Sequence, residues 1–229
     1  QIQATLFERI NDLQGWRRLD LMEELKVGDV DKRLSRFLSD IKIAYAGVYR
    51  DILCTIDTQV VAASNAALIG QLVQEPPTWM NFELADGPVM LARPDPTSSA
   101  PQLIMRSELP DAFSDRNLGQ IVAYFNWDEI VELLNRVTNN SARHALLLDS
   151  EQRILAFSDG LRAQVNGTNV SLKNWPLDNS ADGVFDVVDN TLDLGSLLVG
   201  QVRASRYRGL PDLGWSVVVM TPVQTAFAS

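Results

Sequence analysis

Ile52-Leu53-Cys54-Thr55-Ile56, then Asp57-Thr58-Gln59, then Val60-Val61-Ala62-Ala63-Ser64: two apolar runs are joined here by a tight polar turn. Runs of this length, rich in β-branched residues and separated by a few turn formers, read as a β-hairpin. The pattern returns as Ala145-Leu146-Leu147-Leu148-Asp149, a longer polar turn, and Ile154-Leu155-Ala156-Phe157-Ser158. Each hairpin is followed, after a variable stretch, by a strand launched from Leu-Gly. Leu118-Gly119 leads into Gln120-Ile121-Val122-Ala123-Tyr124-Phe125, and Leu213-Gly214 into Trp215-Ser216-Val217-Val218-Val219-Met220. The aspartates recur 92 positions apart and the glycines 95, in the same order. One matched element would be an accident; two at nearly one offset indicate duplication of a unit. A unit of hairpin, variable middle and closing strands is α+β with an antiparallel sheet.

Outward from the first hairpin, further strands are expected at about 88–93, 102–107 and 119–125. Pro76-Pro77 forces an extended turn, and Pro94-Asp95-Pro96-Thr97-Ser98-Ser99 reads as a loop. Trp127-Asp128-Glu129-Ile130-Val131-Glu132-Leu133-Leu134 reads as a helix with acids in its first turn, ending at Asn139-Asn140. In the second half strands are expected at about 183–188, 195–206 and 214–221, with the turn Gly209-Leu210-Pro211-Asp212 before the last. Upstream, Leu6, Ile10, Leu13, Leu21, Met22 and Leu25 keep helical spacing over residues 4–27. Gly28-Asp29 interrupts that pattern, and Asp29 or Asp31 can cap a second stretch carrying Leu34, Phe37 or Leu38, Ile41, Tyr45 and Val48. Asp31, Lys32, Arg33, Arg36 and Asp40 form its charged back, so residues 1–44 read as a long amphipathic helix broken near 28.

Bulk composition narrows the function. At 229 residues, with 46% hydrophobic and 21% charged, the chain can bury a core that offsets the entropy of ordering it. A formal charge of -9 repels nucleic-acid backbones and anionic lipid, so nucleic acid is not an expected partner. The single cysteine, Cys54, sits in an apolar run as a small hydrophobe, and no internal disulfide can form. A single histidine, His144, excludes multi-histidine metal sites and leaves little room for a Ser/His/Asp triad. No stretch reaches the roughly 20 apolar residues of a membrane span, and no signal peptide is visible. The chain opens inside a helical pattern and stops abruptly, so it reads as a soluble segment of something longer.

In the order of these elements the chain resembles the double Cache (tandem PAS-like) sensor domains of bacterial histidine kinases, diguanylate cyclases and chemoreceptors. The resemblance rests on the amphipathic N-terminal helix, the hairpin from Cys54 to Asn65, and Leu68-Ile69-Gly70 just after it. It rests equally on Gly119-Gln120-Ile121-Val122-Ala123-Tyr124-Phe125-Asn126-Trp127, on the repeated Leu147-Leu148-Asp149 hairpin, and on Gly214-Trp215-Ser216-Val217-Val218-Val219-Met220-Thr221-Pro222. It implies an α+β fold in which a long N-terminal helix (1–44) precedes two tandem PAS-like domains, each with an antiparallel sheet. The membrane-distal ligand-binding domain would cover 45–126, a connecting helix 127–139, the membrane-proximal domain 140–222, and an exit toward a second transmembrane segment 223–229. It further implies a non-enzymatic input domain outside the cytoplasm, in the periplasm, dimeric in the full receptor, attached to the membrane only by flanking helices. The cytoplasmic output would be a histidine kinase or a diguanylate cyclase. The rival reading is a free-standing periplasmic solute-binding protein. Amino-acid-binding members carry an Arg-x-Trp-aromatic pattern after the first hairpin. Here that region reads Glu75-Pro76-Pro77-Thr78-Trp79-Met80-Asn81-Phe82, with no arginine, which argues against an amino-acid ligand.

The expected ligand site uses Trp79, Phe82, Arg93, Arg106 and Tyr124. Either arginine can clamp a carboxylate through its planar fork, which points to an organic acid. Tyr124 alternates with Gln120 and Val122, opposite Ile121, Ala123 and Phe125, so it faces the pocket if the second set faces the helix. Trp79 and Phe82 would supply aromatic walls. Asp57 and Asp149 suit turn chemistry better than catalysis, since aspartate bonds its own backbone there. The triplets Asn139-Asn140-Ser141, Asn166-Gly167-Thr168 and Asn169-Val170-Ser171 carry no glycosylation meaning in a bacterial protein. Neither a metal cluster, a cofactor motif nor a catalytic constellation is expected.

Overall fold

The computed structural model describes residues 1–76, 79–84, 87–95, 101–138, 142–165, 172, 175–177, 182–189, 192–204, 207–208, 210 and 212–226. Pro77, the loop over 96–99, the Asn triplets at 139–141, 166–168 and 169–171, Gly209, Pro211 and the tail beyond 226 lie outside the described residues. The chain divides into two units, one formed by Ala4–Pro94 and Gln102–Trp127, the other by Asp128–Ser229 with Gln1–Gln3 and Asp95–Pro101.

In the first unit β1 (Tyr49–Ile56) and β2 (Gln59–Ala63) make the expected hairpin, closed by Asp57-Thr58 with Asp57 at φ 53. Aspartate tolerates this left-handed conformation better than most residues. Four more strands follow: β3 (Trp79–Leu84), β4 (Gly87–Ala92), β5 (Gln102–Pro110) and β6 (Asn117–Asn126). All pair antiparallel in the order β2-β1-β6-β5-β4-β3. β3 lies outside the strands expected from the sequence. Its period-2 alternation of Met80, Phe82 and Leu84 with Asn81 and Glu83 is short and hidden behind the two prolines.

One face of this sheet is core. Ile52, Cys54, Met105, Ile121, Ala123 and Phe125 are all fully buried. They lie on the face covered by a 3-10 segment (Asp20–Val27) and α2 (Arg33–Ala44), and α1 (Ile2–Trp16) joins this side through Trp16. Trp16 stacks edge-on Tyr49 at 5.2 Å, and Tyr49 on Phe125 at 6.4 Å. Leu34, Leu38 and Ile41 form the buried stripe of α2, so of the pair Phe37/Leu38 the core takes Leu38. Asp29 does the capping: its buried carboxylate accepts from Leu34 N at 2.9 Å, Ser35 N at 3.0 Å and Ser35 Oγ at 2.6 Å.

The expected break at Gly28 is present, with φ 72. A second break follows Trp16, so residues 4–27 are not one helix. Met22 and Leu25, three apart, eclipse one another in a 3-10 turn and both bury there. At the far end of the sheet Asn126 clasps the start of β1. Its N–H donates to Val48 O at 2.8 Å, its Nδ2 to Gly47 O at 3.1 Å, and its Oδ1 accepts from Arg50 Nη2 at 3.1 Å.

The second unit repeats the plan. α3 (Asp128–Val137), with Ile130 and Leu134 buried, packs on the hairpin of β7 (His144–Leu148) and β8 (Ile154–Phe157). A 3-10 turn (Asp159–Leu161), α4 (Arg162–Val165), β9 (Gly183–Asp189), β10 (Gly195–Arg203), β11 (Ser216–Pro222) and α5 (Val223–Ala226) follow. The strand order β8-β7-β11-β10-β9 matches β2-β1-β6-β5-β4 one for one. Asp149, 1% exposed, accepts from Glu151 N at 2.7 Å and from Arg153 N at 3.0 Å, which is the turn role.

The paired glycines have a common cause. Gly119 adopts φ +152, and a Cβ there would lie 2.1 Å from the Thr55 carbonyl oxygen. Gly214 adopts φ +66, with its would-be Cβ 3.0 Å from Ser150 Cβ. Each glycine lets the closing strand press against the end of its own hairpin.

Candidate ligand-binding site

The opposite face of the first sheet is assembled by register. Asp51, Leu53 and Thr55 of β1 stand beside Tyr124, Val122 and Gln120 of β6, and Ile104 and Arg106 of β5 stand on the other side of Tyr124 and Val122. Met90 of β4 pairs with Arg106, and Trp79 of β3 with Ala92. Alternation puts all of these on one surface, away from the helices.

The chain after β2 folds back across it. Gly70 N donates to Val60 O at 2.8 Å, Val60 N to Gln71 O at 2.9 Å, and Val73 N to Thr58 O at 2.8 Å. This short ladder on the outer edge of β2 brings Leu68, Ile69 and Val73 against Leu53, Val60, Ala63 and Val122.

Between the strap and the sheet lies a cavity of about 250 Å³. Leu53, Val60, Leu68 and Val73 give it apolar walls, Asp51 and Tyr124 polar groups, and Gln71, Gln74 and Gln102 hydrogen-bonding amides. Apolar walls with a few convergent polar groups are what a small-molecule site requires. Past Tyr124 the groove narrows to a cleft of about 10 Å³, room for one water, lined by Glu75, Trp79, Arg106 and Gln120 among others. Val73, Gln74 and Tyr124 border both spaces.

Asp51 Oδ1 accepts from Lys42 Nζ at 2.8 Å and from Ser64 Oγ at 3.2 Å, which fixes the carboxylate at the cavity wall. Burial, and then the charges of Asp51 and Glu75, push the Tyr124 hydroxyl above its ordinary pKa of 10.0. It therefore remains a protonated donor at neutral pH. In the cleft Glu75 Oε1 accepts from Arg106 Nη1 at 2.6 Å and Oε2 from Trp79 Nε1 at 2.8 Å. The Arg106 guanidinium lies 4.2 Å from the Trp79 ring centroid, within cation–π range.

Of the five residues expected at the site, Trp79, Arg106 and Tyr124 come together in this groove. Phe82 and Arg93 do not line it. Phe82 is three residues past Trp79, an odd step that turns it to the opposite face of β3. Arg93 follows β4 in phase with buried Val89 and Leu91, opposite the Met90 that neighbours Arg106. Sequence reading missed Asp51, Glu75 and the glutamines. Asp51 precedes the apolar run by one residue, and only the register with Tyr124 reveals its face. Glu75 stands just before the prolines, in a stretch whose reading turns on the missing arginine and the two aromatic residues.

Cys54 is buried on the helix-covered face, where burial pushes its thiol pKa up, so it takes no part in the groove. Among the described residues no group of three or more His, Cys, Asp or Glu could hold a metal ion. No helix among them is long and apolar enough to cross a membrane.

No family model matches the chain, and no curated protein matches it by sequence. Solved structures do. The sensor domain of the histidine kinase DctB from V. cholerae superposes with a TM-score of 0.64 at 15% identity, over 96% of this chain and 91% of that one. The ligand-binding domain of the amino-acid chemoreceptor PctC of Pseudomonas aeruginosa, complexed with GABA, gives 0.60 at 17%, over 96% and 92%. That of the Pseudomonas fluorescens chemoreceptor CtaA, complexed with L-alanine, gives 0.60 at 12%, over 99% and 93%. The fold is therefore that of bacterial receptor sensor domains. More particularly, it is shared with a histidine kinase sensor domain and with chemoreceptor ligand-binding domains, in keeping with the resemblance to double Cache domains.

Proposed function

We propose that this chain is the extracytoplasmic input part of a transmembrane signalling receptor, and that it binds a small molecule in the groove between the first sheet and its strap. The cavity of about 250 Å³ beside Tyr124 is the observation that carries this reading. Asp51, Tyr124 and three glutamines at apolar walls suit orientation of a small polar ligand, and Arg106 at one end suits an organic acid. The resemblance adds a role for each part: 45–126 as the membrane-distal domain and 140–222 as the membrane-proximal one that relays the change. It also adds an output such as a histidine kinase, and dimerisation in the full receptor. The chain works by binding, shifting a two-state equilibrium only as far as the ligand's differential affinity allows.

A thermal-shift screen of organic acids, amines, amino acids and purines tests the binding step. A true ligand raises the melting temperature by mass action, equivalent to about 2.7 kcal/mol at one hundred times its Kd. Tyr124→Phe, which removes one hydroxyl donor, should weaken that hit roughly three- to tenfold in calorimetry. A hit indifferent to Tyr124→Phe and to a bulky replacement of Leu68 sits elsewhere and refutes the assignment.

A further inference from the structure

We infer that Glu75 is a resident occupant of the anionic end of this groove, a carboxylate of the chain itself that a ligand carboxylate must displace from Arg106 and Trp79. The inference rests on reading the groove as a ligand site.

The geometry has the form of a bound acid. Both oxygens of Glu75 are engaged, one by the Arg106 guanidinium at 2.6 Å and the other by the Trp79 indole N–H at 2.8 Å. The two donors belong to the sheet, on β5 and β3, while the carboxylate belongs to the strap that crosses it. Burial is unequal in the same sense: the Arg106 side chain is 13% exposed and that of Glu75 is 45% exposed. The socket is built into the protein, and the plug lies at its surface. Arg106 also makes contacts with the sheet itself, with Nη2 3.4 Å from Met90 Sδ and the guanidinium over the Trp79 ring.

Glu75 is also able to leave. The bonds tying the strap to β2 end at Val73, and the next residue after Glu75 is Pro76, which has no N–H to pair. Withdrawing Glu75 breaks no rung of the sheet. The cleft it lines, with space of only about 10 Å³, adjoins the larger cavity at Tyr124, so withdrawal of Glu75 widens the cleft and joins the two spaces into one longer groove. A ligand whose body fills the apolar cavity and whose carboxylate reaches Arg106 offers the same two oxygens from within one molecule. Its apparent affinity is its intrinsic affinity scaled by the fraction of protein in which Glu75 is out. Glu75 thereby sets the concentration at which the sensor responds.

The test titrates succinate, butyrate and benzoate into the whole chain by calorimetry, comparing the parent protein with Glu75→Gln and Glu108→Gln. Glu108 lies two residues beyond Arg106 on the same face of β5, so its replacement removes the same charge nearby without touching the pair. At least one acid should bind, and Glu75→Gln should tighten it roughly three- to tenfold, whereas Glu108→Gln should change it less than about twofold. The Trp79 indole resonance, identified by its loss in Trp79→Phe, should move on titration of the parent and start displaced in Glu75→Gln. Equal affinities in parent and Glu75→Gln overturn the inference, as does an equal gain in both glutamine variants, which would mark a general field effect. Failure of every acid to bind any of the three also overturns it. In that case an amine or purine that stabilises the parent and is weakened by Tyr124→Phe still upholds the groove as a ligand site, and thermal silence toward every class removes both.

Discussion

Gly119 shows how much one hydrogen atom in place of a methyl can decide. A Cβ there would stand 2.1 Å from a backbone oxygen, an atom that cannot swing aside as a side-chain tip would, and its φ of +152 already disfavours any L residue. Gly119→Ala should therefore cost roughly 2–4 kcal/mol in urea unfolding. Gly214→Ala meets only a serine Cβ at 3.0 Å and should cost less, about 1–2 kcal/mol. Equal losses would refute the account of the close approach. The Leu-Gly pair was legible as a repeated signal, but its partner atoms were not, because they depend on which strand lies alongside. The same limit explains Phe82 and Arg93. Their chemistry suits the site, yet facing is set by strand phase: Phe82 lies on β3, which the sequence pattern leaves unmarked, and Arg93 follows β4, whose phase is fixed only by the pairing of Met90 with Arg106.

Among elements, α2 owes its start to a residue four positions outside it. Asp29 is fully buried and accepts three hydrogen bonds, two of them from N–H groups that the first turn of a helix leaves without intrahelical partners. Asp29→Ala leaves those donors buried and unpaired, and should lower stability by about 2–4 kcal/mol by urea titration. Asp31→Ala, at an exposed position, should lie within about 0.5 kcal/mol of the parent. A comparable effect at both positions would show that the cap is misassigned. Sequence alone offered both aspartates, since either spacing satisfies a cap, and burial chose between them. The helical period was equally unable to separate an α-helix from a 3-10 run over Asp20–Val27, where apolar residues three apart satisfy both. The hairpins, by contrast, were readable to within a few residues, because a short apolar run beside a turn former has few alternatives.

At the scale of the molecule, the repeated pattern in the sequence is accompanied by two sheets in which five strands follow the same order. Their fillings differ. In the second unit Leu161, Val165, Leu172 and Trp175 pack with Leu146, Leu148, Val218 and Met220 in one apolar cluster. The corresponding cover in the first unit leaves the cavity at Tyr124. That contrast is one of side-chain volume across separated segments, which no local pattern encodes. The pH dependence of stability is also a property of the whole chain, and here it is simple because there is one histidine. Burial holds His144 below its ordinary pKa of 6.5. The folded state therefore binds fewer protons than the unfolded one as pH falls through this range. Stability should be level above about 6.5, decline below it until folded His144 also titrates, and decline less in His144→Gln, as urea midpoints from pH 7.5 to 5.5 will show. Lysine-paired Asp111, held at about 2, loses its contribution only in far stronger acid, well clear of this window. Finally, Tyr124 and the Asn126 clasp ride on one strand, two residues apart on the same face. Sliding β6 by one position would turn its groove side chains, Gln120, Val122 and Tyr124, into the core and tear three hydrogen bonds from the root of β1. A signal born at Tyr124 is thus barred from travelling as a translation of the strand; what is left to it is tilt, or a reshuffling of side chains.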